Sequence, residues 1–170
     1  MNKNIIKTKD QIQKELIKLA KKINRDYFNK EIILICLNDS AKYFVKDLKK
    51  LLKIKFIIDT LRFKNYKETS FSGEVKILKD LNYNICKRHV IIVDGIIISG
   101  ITHSYLSKYL NQRGPKSIAL MAVGKKINHI KKKIPRRYTL FSFTDEWVEG
   151  YGFGSEKYKN KNYLVDARKK

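Results

Sequence analysis

The sequence predicts a single α/β domain, residues 1–170, in which helices flank a mainly parallel sheet. Short apolar runs that do not alternate with polar residues, such as 32–37 and 90–93, are typical of strands buried on both faces. Amphipathic segments separate these runs, and strand–helix–strand alternation favours parallel strands joined by crossover helices. With 170 residues, 43% of them hydrophobic, the chain has the size of one domain with its own core.

The first part of the chain predicts two helices that alternate with two strands. Residues 10–27 form a helix, because one helical face carries Ile12, Leu16, Leu19, Ala20 and Ile23. Residues 31–37 follow as a buried strand. Ser40 then caps a second helix, whose inner face carries Phe44, Val45, Leu48, Leu51 and Leu52. Residues 55–61 are predicted to form the next strand.

The second part begins with a polar, turn-rich stretch, 62–73, which predicts a mobile loop. Extended structure resumes at 74–78. A strand from His89 is expected to end at Asp94, followed by a loop of small residues and a helix over 100–112. Gly114-Pro115 stops that helix. Residues 117–123 and 138–143 predict two further strands.

Four segments follow predicted strands: 37–40, 94–102, 124–126 and 144–154. Since ligands of parallel sheets bind beyond the carboxyl ends of the strands, we expect these segments to gather at one edge. Within the second segment, Ser99-Gly100-Ile101-Thr102 opens a helix directly after an apolar strand. Free backbone N–H groups and two hydroxyls at such a turn suit a phosphate. An ordinary helix N-cap by Ser99 or Thr102 is the alternative.

The charge and composition limit the classes of partner. The formal net charge is +22, but the basic residues are 31 Lys and 7 Arg spread along the whole chain. Recognition that needs planar bidentate contacts prefers Arg. A lysine excess that is spread along the chain therefore favours compositional drift, a bias of the whole proteome, over selected binding of nucleic acid. Nucleic-acid binding by the basic segment 125–137 stays open. The two cysteines, Cys36 and Cys86, are expected to be reduced thiols of the core. The chain has no apolar stretch of 18 residues and no apolar leader, so we expect a cytoplasmic protein without a membrane span.

Four blocks, in order, resemble a known family. These are 73–81, the stretch 89–102, Arg113-Gly114-Pro115-Lys116-Ser117, and Asp145-Glu146-Trp147-Val148-Glu149-Gly150-Tyr151-Gly152. Together they resemble the type I phosphoribosyltransferases, in particular bacterial hypoxanthine phosphoribosyltransferases, over residues 10–166. The resemblance implies the type I phosphoribosyltransferase fold with a small hood. It also implies purine salvage: phosphoribosyl transfer from phosphoribosyl pyrophosphate to hypoxanthine or guanine, giving IMP or GMP and pyrophosphate, with Mg²⁺ and in a homo-oligomer (dimer or tetramer).

The resemblance also implies roles for individual residues. Ser99, Gly100, Ile101 and Thr102 would bind the 5′-phosphate, and Asp94 would lie near the ribose and the metal. Lys126, or by a shift of one position Lys125, would donate to the purine 6-oxo group, Trp147 would stack on the base, and Val148 would contact the base edge. Ser40 and Lys159 would lie on the pyrophosphate side, and Asn65-Tyr66 would replace a Ser-Tyr pair of the family. The alternatives are a turn-capping role for Asp94, a surface role for Lys126 and a core position for Trp147.

Departures from the family pattern put catalysis in question. Gly95 replaces the second acid, and Ile98 stands where the family keeps the Asp that handles the purine proton. No catalytic base can therefore be named. Gly154 also replaces an acid, and Asp39 is an unfavourable neighbour for pyrophosphate. Three functions stay open: a transferase with reduced activity, a catalytically impaired nucleotide-binding regulator, and a basic RNA-associated protein on the same fold.

Overall fold

The computed structural model describes residues 4–65, 75–132 and 135–169, and it confirms the predicted α/β class. In order, the helices and strands are β1 (Ile5–Lys7), α1 (Lys9–Asp26), β2 (Ile32–Leu37), α2 (Lys42–Leu48), β3 (Phe56–Asn65), β4 (Val75–Lys79), β5 (His89–Ile97), α3 (Ile101–Asn111), β6 (Ser117–Lys126), β7 (Arg136–Phe143), β8 (Val148–Gly150) and β9 (Leu164–Asp166). Helices and strands alternate from β1 to β3, and α3 lies between β5 and β6.

The main sheet has six strands in the order β4-β3-β2-β5-β6-β7. All neighbouring pairs are parallel except β3 and β4, so the sheet is mainly parallel as predicted. The chain winds outward from β2 to β3 in one direction and from β5 to β7 in the other. The strand order therefore reverses between β2 and β5, and a crevice beyond the carboxyl ends of these two strands is where such sheets bind ligands.

Strand β2 explains the continuous apolar run in the sequence, because all six of its residues are buried. Ile32, Leu34 and Cys36 pack on the face that α1 and α2 cover. The alternate residues Ile33, Ile35 and Leu37 pack on the face that α3 covers. Helix α1 begins at a capping box, in which Thr8 Oγ1 accepts from the Gln11 backbone N–H and Gln11 Oε1 accepts from that of Thr8.

A second sheet of three short strands, β1-β9-β8, is antiparallel. It corresponds to the small hood that the family resemblance implied. Its strand β8 carries Val148, with Trp147 directly before it. The backbone N–H of Trp147 donates to Asp166 Oδ1 of β9 over 3.0 Å, which fixes the start of β8 in the hood.

Several sequence predictions need correction. Ser40 does not cap α2, whose N-cap residue is Ala41, and Leu51 and Leu52 lie beyond the end of this helix at Leu48. Strand β5 does not end at Asp94 but continues to Ile97, because Asp94, Ile96 and Ile97 pair with the neighbouring strand β6. Strand β3 likewise extends to Asn65, into the predicted loop.

Both cysteines are free thiols as predicted, but only one of them lies in the core. Cys36 is a buried free thiol whose pKa is raised to about 11 by burial, whereas Cys86 is exposed and so does not belong to the core. The pair Asn65-Tyr66 falls outside the side chains that the structure describes. Among the described residues, the helices are too short or too polar to cross a membrane.

Candidate active site

A cleft of about 980 Å³ opens at the carboxyl end of the main sheet, under the hood. The segments that were expected to gather at one edge contribute most of its wall. The lining residues are Ile96, Ile98, Lys126, His129, Asp145, Glu146, Trp147, Val148, Glu149, Phe153, Gly154, Ser155 and Arg168. Segment 37–40 joins the same edge, because Ser40 Oγ donates to Asp94 Oδ1 over 2.7 Å.

The predicted phosphate cradle lies at the start of α3. Gly100 is the N-cap residue and has a positive φ of 76°, a left-handed conformation that favours glycine. No side chain caps this helix, so the alternative of an N-cap by Ser99 or Thr102 is wrong; Ser99 Oγ accepts from the Ile101 N–H in a local bond of 3.3 Å. The first-turn N–H groups of a helix lack intrahelical partners, so those that follow Ile101 are open to an anion.

Asp94 lies inside β5 as a half-buried carboxylate with protein donors on both oxygens. Oδ1 accepts from Ser40 Oγ and from the Gly95 N–H, each over 2.7 Å. Oδ2 lies 2.9 Å from Nε2 of His103, and since a carboxylate only accepts hydrogen bonds, this ring nitrogen carries the hydrogen. The side chain thus links β5 to the loop after β2 and to α3, which is more than the cap of a single turn.

His103 was not among the residues that the sequence analysis singled out. It is 5% exposed and shares the buried face of α3 with Leu106 and Leu110. A usable signal was present: a polar residue on the apolar face of the helix that follows an acid-bearing strand needs a buried partner. Asp94 is that partner.

The structure gives a steric reason for the glycine that replaces the second acid. A Cβ on Gly95 would lie 2.9 Å from Cδ1 and 3.1 Å from Cγ of Phe153. The phenyl ring therefore occupies the space that a side chain at residue 95 would need. Ile98 lines the cleft and is 49% exposed, so an apolar side chain faces the region where the family resemblance expects a proton acceptor.

The cleft contains the three residues to which the resemblance gave a role in purine binding. Lys126 lines it and is 8% exposed, and its Nζ donates to the carbonyl of Glu146, so its surface alternative is wrong. Lys125 is absent from the described lining of the cleft. Trp147 is 62% exposed, which excludes the core alternative, and Val148 is buried beside it.

Glu149, which the sequence analysis did not single out, also faces this cleft. Its Oε1 accepts from Trp147 Nε1 over 3.1 Å, and its Oε2 accepts from the Ser155 N–H over 3.1 Å and from the Ser155 hydroxyl. Desolvation by burial acts to raise the pKa of this carboxyl, but the hydrogen bonds from Ser155 and Trp147 outweigh it and hold the pKa below its usual value. Glu149 is therefore ionised at neutral pH.

The expected pyrophosphate side lies around the loop after β2. Asp39 is paired with Lys42 over 2.8 Å and with Arg62 over 3.8 Å. The hydrogen bond from Lys42, and then the charges of Lys42, Arg62 and Lys159, lower the pKa of this carboxyl. With Glu156, which pairs with Lys159, the cluster contains three cations and two acids, so it remains net positive. Lys159 itself pairs with Glu156 and lies outside the described lining of the cleft.

The described residues offer a metal ion no preformed cage, and Asp94 is the carboxylate on the expected ribose side that could receive one. Among residues 4–65, 75–132 and 135–169 no group of three or more His, Cys, Asp or Glu side chains could hold a metal. Asp94 already accepts three hydrogen bonds, and a carboxylate has about four acceptor positions, so one remains on the Oδ2 side. That fits Mg²⁺, which is commonly held by one or two carboxylates together with substrate phosphates and water.

Comparisons with known proteins agree with this geometry. Residues 3–156 match the family model of the phosphoribosyl transferase domain. The chain is 31% identical over 170 residues to the hypoxanthine-guanine phosphoribosyltransferase of Mycobacterium bovis, covering 95% of this chain and 84% of that protein. It is 32% identical over 158 residues to the hypoxanthine-guanine-xanthine phosphoribosyltransferase of Tritrichomonas foetus, covering 92% and 86%.

Solved structures give the same result. A crystal structure of a hypoxanthine-guanine phosphoribosyltransferase from Bacillus anthracis superposes with a TM-score of 0.91 at 31% identity, covering 96% of this chain and 98% of that one. The sequence resemblance is therefore confirmed over nearly the whole chain. This chain belongs to the phosphoribosyltransferase family, and its relatives there are hypoxanthine-guanine phosphoribosyltransferases.

Proposed function

We propose that this protein transfers a phosphoribosyl group from phosphoribosyl pyrophosphate to hypoxanthine or guanine, giving IMP or GMP and pyrophosphate in purine salvage. The observation that carries the proposal is the cleft under the hood, which both Lys126 and Trp147 line. The open start of α3 lies beyond the same end of the sheet. The relatives named for this activity support it.

The cleft and the start of α3, which lies outside the described lining of the cleft, would divide the substrate between them. Ser99, Gly100, Ile101 and Thr102 would receive the 5′-phosphate through backbone N–H groups and hydroxyls. Lys126 would donate to the 6-oxo group: an ammonium has three donors, and one of them is used by the Glu146 carbonyl. Trp147 would stack on the base, an interaction worth roughly 1–3 kcal/mol, and Val148 would contact its edge.

Pyrophosphate and metal belong at the ribose side. Members of this family are generally Mg²⁺-dependent, and Asp94 is the described carboxylate with room for one more ligand there. Bound Mg²⁺ would neutralise charge that develops on the leaving pyrophosphate. Ser40 orients Asp94 through its hydrogen bond, and the cations around Asp39, Lys159 among them, would attract the pyrophosphate.

Turnover is proposed to be reduced. Neither Gly95 nor Ile98 can take up a proton, and a missing general base typically costs 10²–10⁴-fold in rate. Orientation of the base and the ribose in one cleft would keep part of the rate enhancement. A nucleotide-binding protein with little catalysis is the second candidate, and the ring of Phe153 in the space of the second acid favours it.

Two measurements on the wild-type protein separate these functions. Nucleotide formation from hypoxanthine and phosphoribosyl pyrophosphate with Mg²⁺ tests turnover, and calorimetry with IMP tests binding. Slow turnover with IMP binding supports the transferase. Binding without turnover supports the regulatory protein. If the protein neither forms nucleotide nor binds IMP, the family activity is rejected for this chain. Homo-oligomerisation and a cytoplasmic location stay predictions, the former open to light scattering.

A further inference from the structure

Glu149 is an unusual residue to find at the centre of β8, because it is a carboxylate that is 9% exposed in an apolar hood strand. Burial of an ionised carboxylate is costly unless hydrogen bonds compensate for the lost water. Here Trp147 and Ser155 supply those bonds. The carboxylate is therefore held in one place by donors on both of its oxygens.

The space for this side chain depends on Gly154. A Cβ on Gly154 would lie 2.5 Å from Cγ and 2.6 Å from Cβ of Glu149, and the φ of this glycine is 93°. Glu149 thus occupies the direction in which a side chain at residue 154 would point. The position of the Glu149 side chain therefore requires glycine at residue 154. The carboxylate in this part of the cleft comes from residue 149.

Trp147 is the other partner of this carboxylate. Its backbone is fixed by Asp166, but its indole is 62% exposed, so packing alone restrains the ring weakly. The hydrogen bond from Nε1 to Glu149 Oε1 selects one orientation of the ring, and the indole lines the cleft in that orientation. An aromatic surface that is already oriented loses less conformational freedom when a base stacks on it.

We propose that Glu149 is a positioning residue that fixes the indole plane of Trp147 for stacking on the purine. The inference rests on the proposed function for the identity of the stacked ligand. Glu149 acts through Trp147 and makes no contact with the reacting atoms. Ser155 supports it from the opposite side, so the series Ser155–Glu149–Trp147 sets the affinity for the base.

The protein carries its own probe, because Trp147 is the single tryptophan among 170 residues. In the ligand-free protein, Glu149→Ala should lower the fluorescence anisotropy of Trp147 and increase its quenching by acrylamide. Ser155→Ala, which removes one donor to Glu149 and leaves the indole untouched, should shift both readings in the same direction by less. Unchanged anisotropy in both variants, with unchanged thermal unfolding, would overturn the positioning role.

A double-mutant cycle with IMP tests the consequence for binding. Glu149→Ala should weaken the Kd for IMP roughly threefold to tenfold, the effect of releasing one side chain. In a Trp147→Phe background, which keeps a ring but has no N–H donor, Glu149→Ala should change the Kd less than twofold. Equal effects in both backgrounds would overturn the inference while leaving the proposed function intact. Failure of wild-type protein to bind IMP would overturn the proposed function, and the role in purine binding with it.

Discussion

His103 Nε2 lies 2.9 Å from Oδ2 of Asp94, so helix α3, whose start is the proposed phosphate cradle, is bonded to the carboxylate inside β5. Both residues are shielded: the side chain of His103 is 7% exposed and that of Asp94 20%. A hydrogen bond to a charged group under such shielding contributes about 1.5–3 kcal/mol. The position of the first turn of α3 and the orientation of the Asp94 carboxylate are therefore set together.

Replacement of His103 should loosen that acid. His103→Leu keeps the volume and removes the donor, so we expect the affinity for phosphoribosyl pyrophosphate with Mg²⁺ to fall roughly tenfold. His103→Gln, which retains an N–H donor, should recover part of the loss. Calorimetric titration of both variants measures this, with thermal unfolding as a control for folding. Equal affinity in wild type and His103→Leu would show that Ser40 and the Gly95 N–H are sufficient to orient Asp94.

The phosphate cradle can be tested at one hydroxyl. Thr102→Ala should weaken the binding of IMP and GMP by several-fold, because it removes a donor to the 5′-phosphate. Thr102→Ser keeps the hydroxyl and should bind as the wild type does. The nucleosides inosine and guanosine, which lack the phosphate, should bind both variants equally. A Thr102→Ala protein with wild-type nucleotide affinity would remove this turn from the phosphate site.

Selectivity for 6-oxopurines should depend on Lys126. An ammonium donates to an oxo group and has no acceptor for a 6-amino group, so GMP and IMP should bind more tightly than AMP. Lys126→Ala should lose that preference. Lys125→Ala is the matched control, because it removes the same charge one residue away from the described cleft lining. If wild-type protein binds AMP as well as GMP, the role assigned to Lys126 is wrong.

Restoration of the missing acids should raise turnover, but the structure adds a condition. Gly95→Asp alone should lower the Tm, because its Cβ overlaps the ring of Phe153. Ile98→Asp points into the open cleft and should be tolerated. The combination of both acids with Phe153→Leu is expected to accelerate nucleotide formation over the wild type. A combination that binds IMP without a gain in rate would locate the defect elsewhere, with Asp39 and Gly154 to be examined next.

If the net charge of +22 reflects compositional drift, the protein should bind nucleic acid only weakly. Binding to random duplex or RNA should then vanish by physiological salt, since contacts to phosphate are lost steeply as counterions compete. Filter binding over a salt series measures this. Sequence-selective RNA affinity that persists at physiological salt would favour the RNA-associated function instead.

The parts of the fold that the sequence predicted are those that depend on local pattern. The run 32–37 is buried on both faces and could be read directly as β2, and the face of Ile12, Leu16 and Ile23 is the buried face of α1. Strand ends were less predictable, because a strand ends where its neighbour stops pairing. Strand β5 passes Asp94 since β6 runs beside it as far as Lys125, a fact outside the local sequence.

The site could be predicted where the family resemblance supplied a role for a residue. It could not be predicted where the contacts are particular to this chain, as for Ser40, Glu149 and Phe153. Ser40 has the residue type of an N-cap, but its hydroxyl donates to a carboxylate 54 residues away. Likewise, the bonds of Glu149 and the ring of Phe153 depend on a turn that folds back on β8, which no spacing in the sequence reveals.

The ring of Phe153 under Gly95 also constrains how this protein can evolve. A carboxylate at position 95 should lower the stability as a single substitution, unless the ring of Phe153 first becomes smaller. A protein at that intermediate step would carry a cavity in place of a buried phenyl group, at a cost of roughly 3–5 kcal/mol for an alanine. Domains have only about 5–15 kcal/mol of stability in total, so selection would oppose the intermediate. Gly95 and Phe153 are thus sterically coupled, and an acid at another position of the cleft would cost less stability than an acid at position 95.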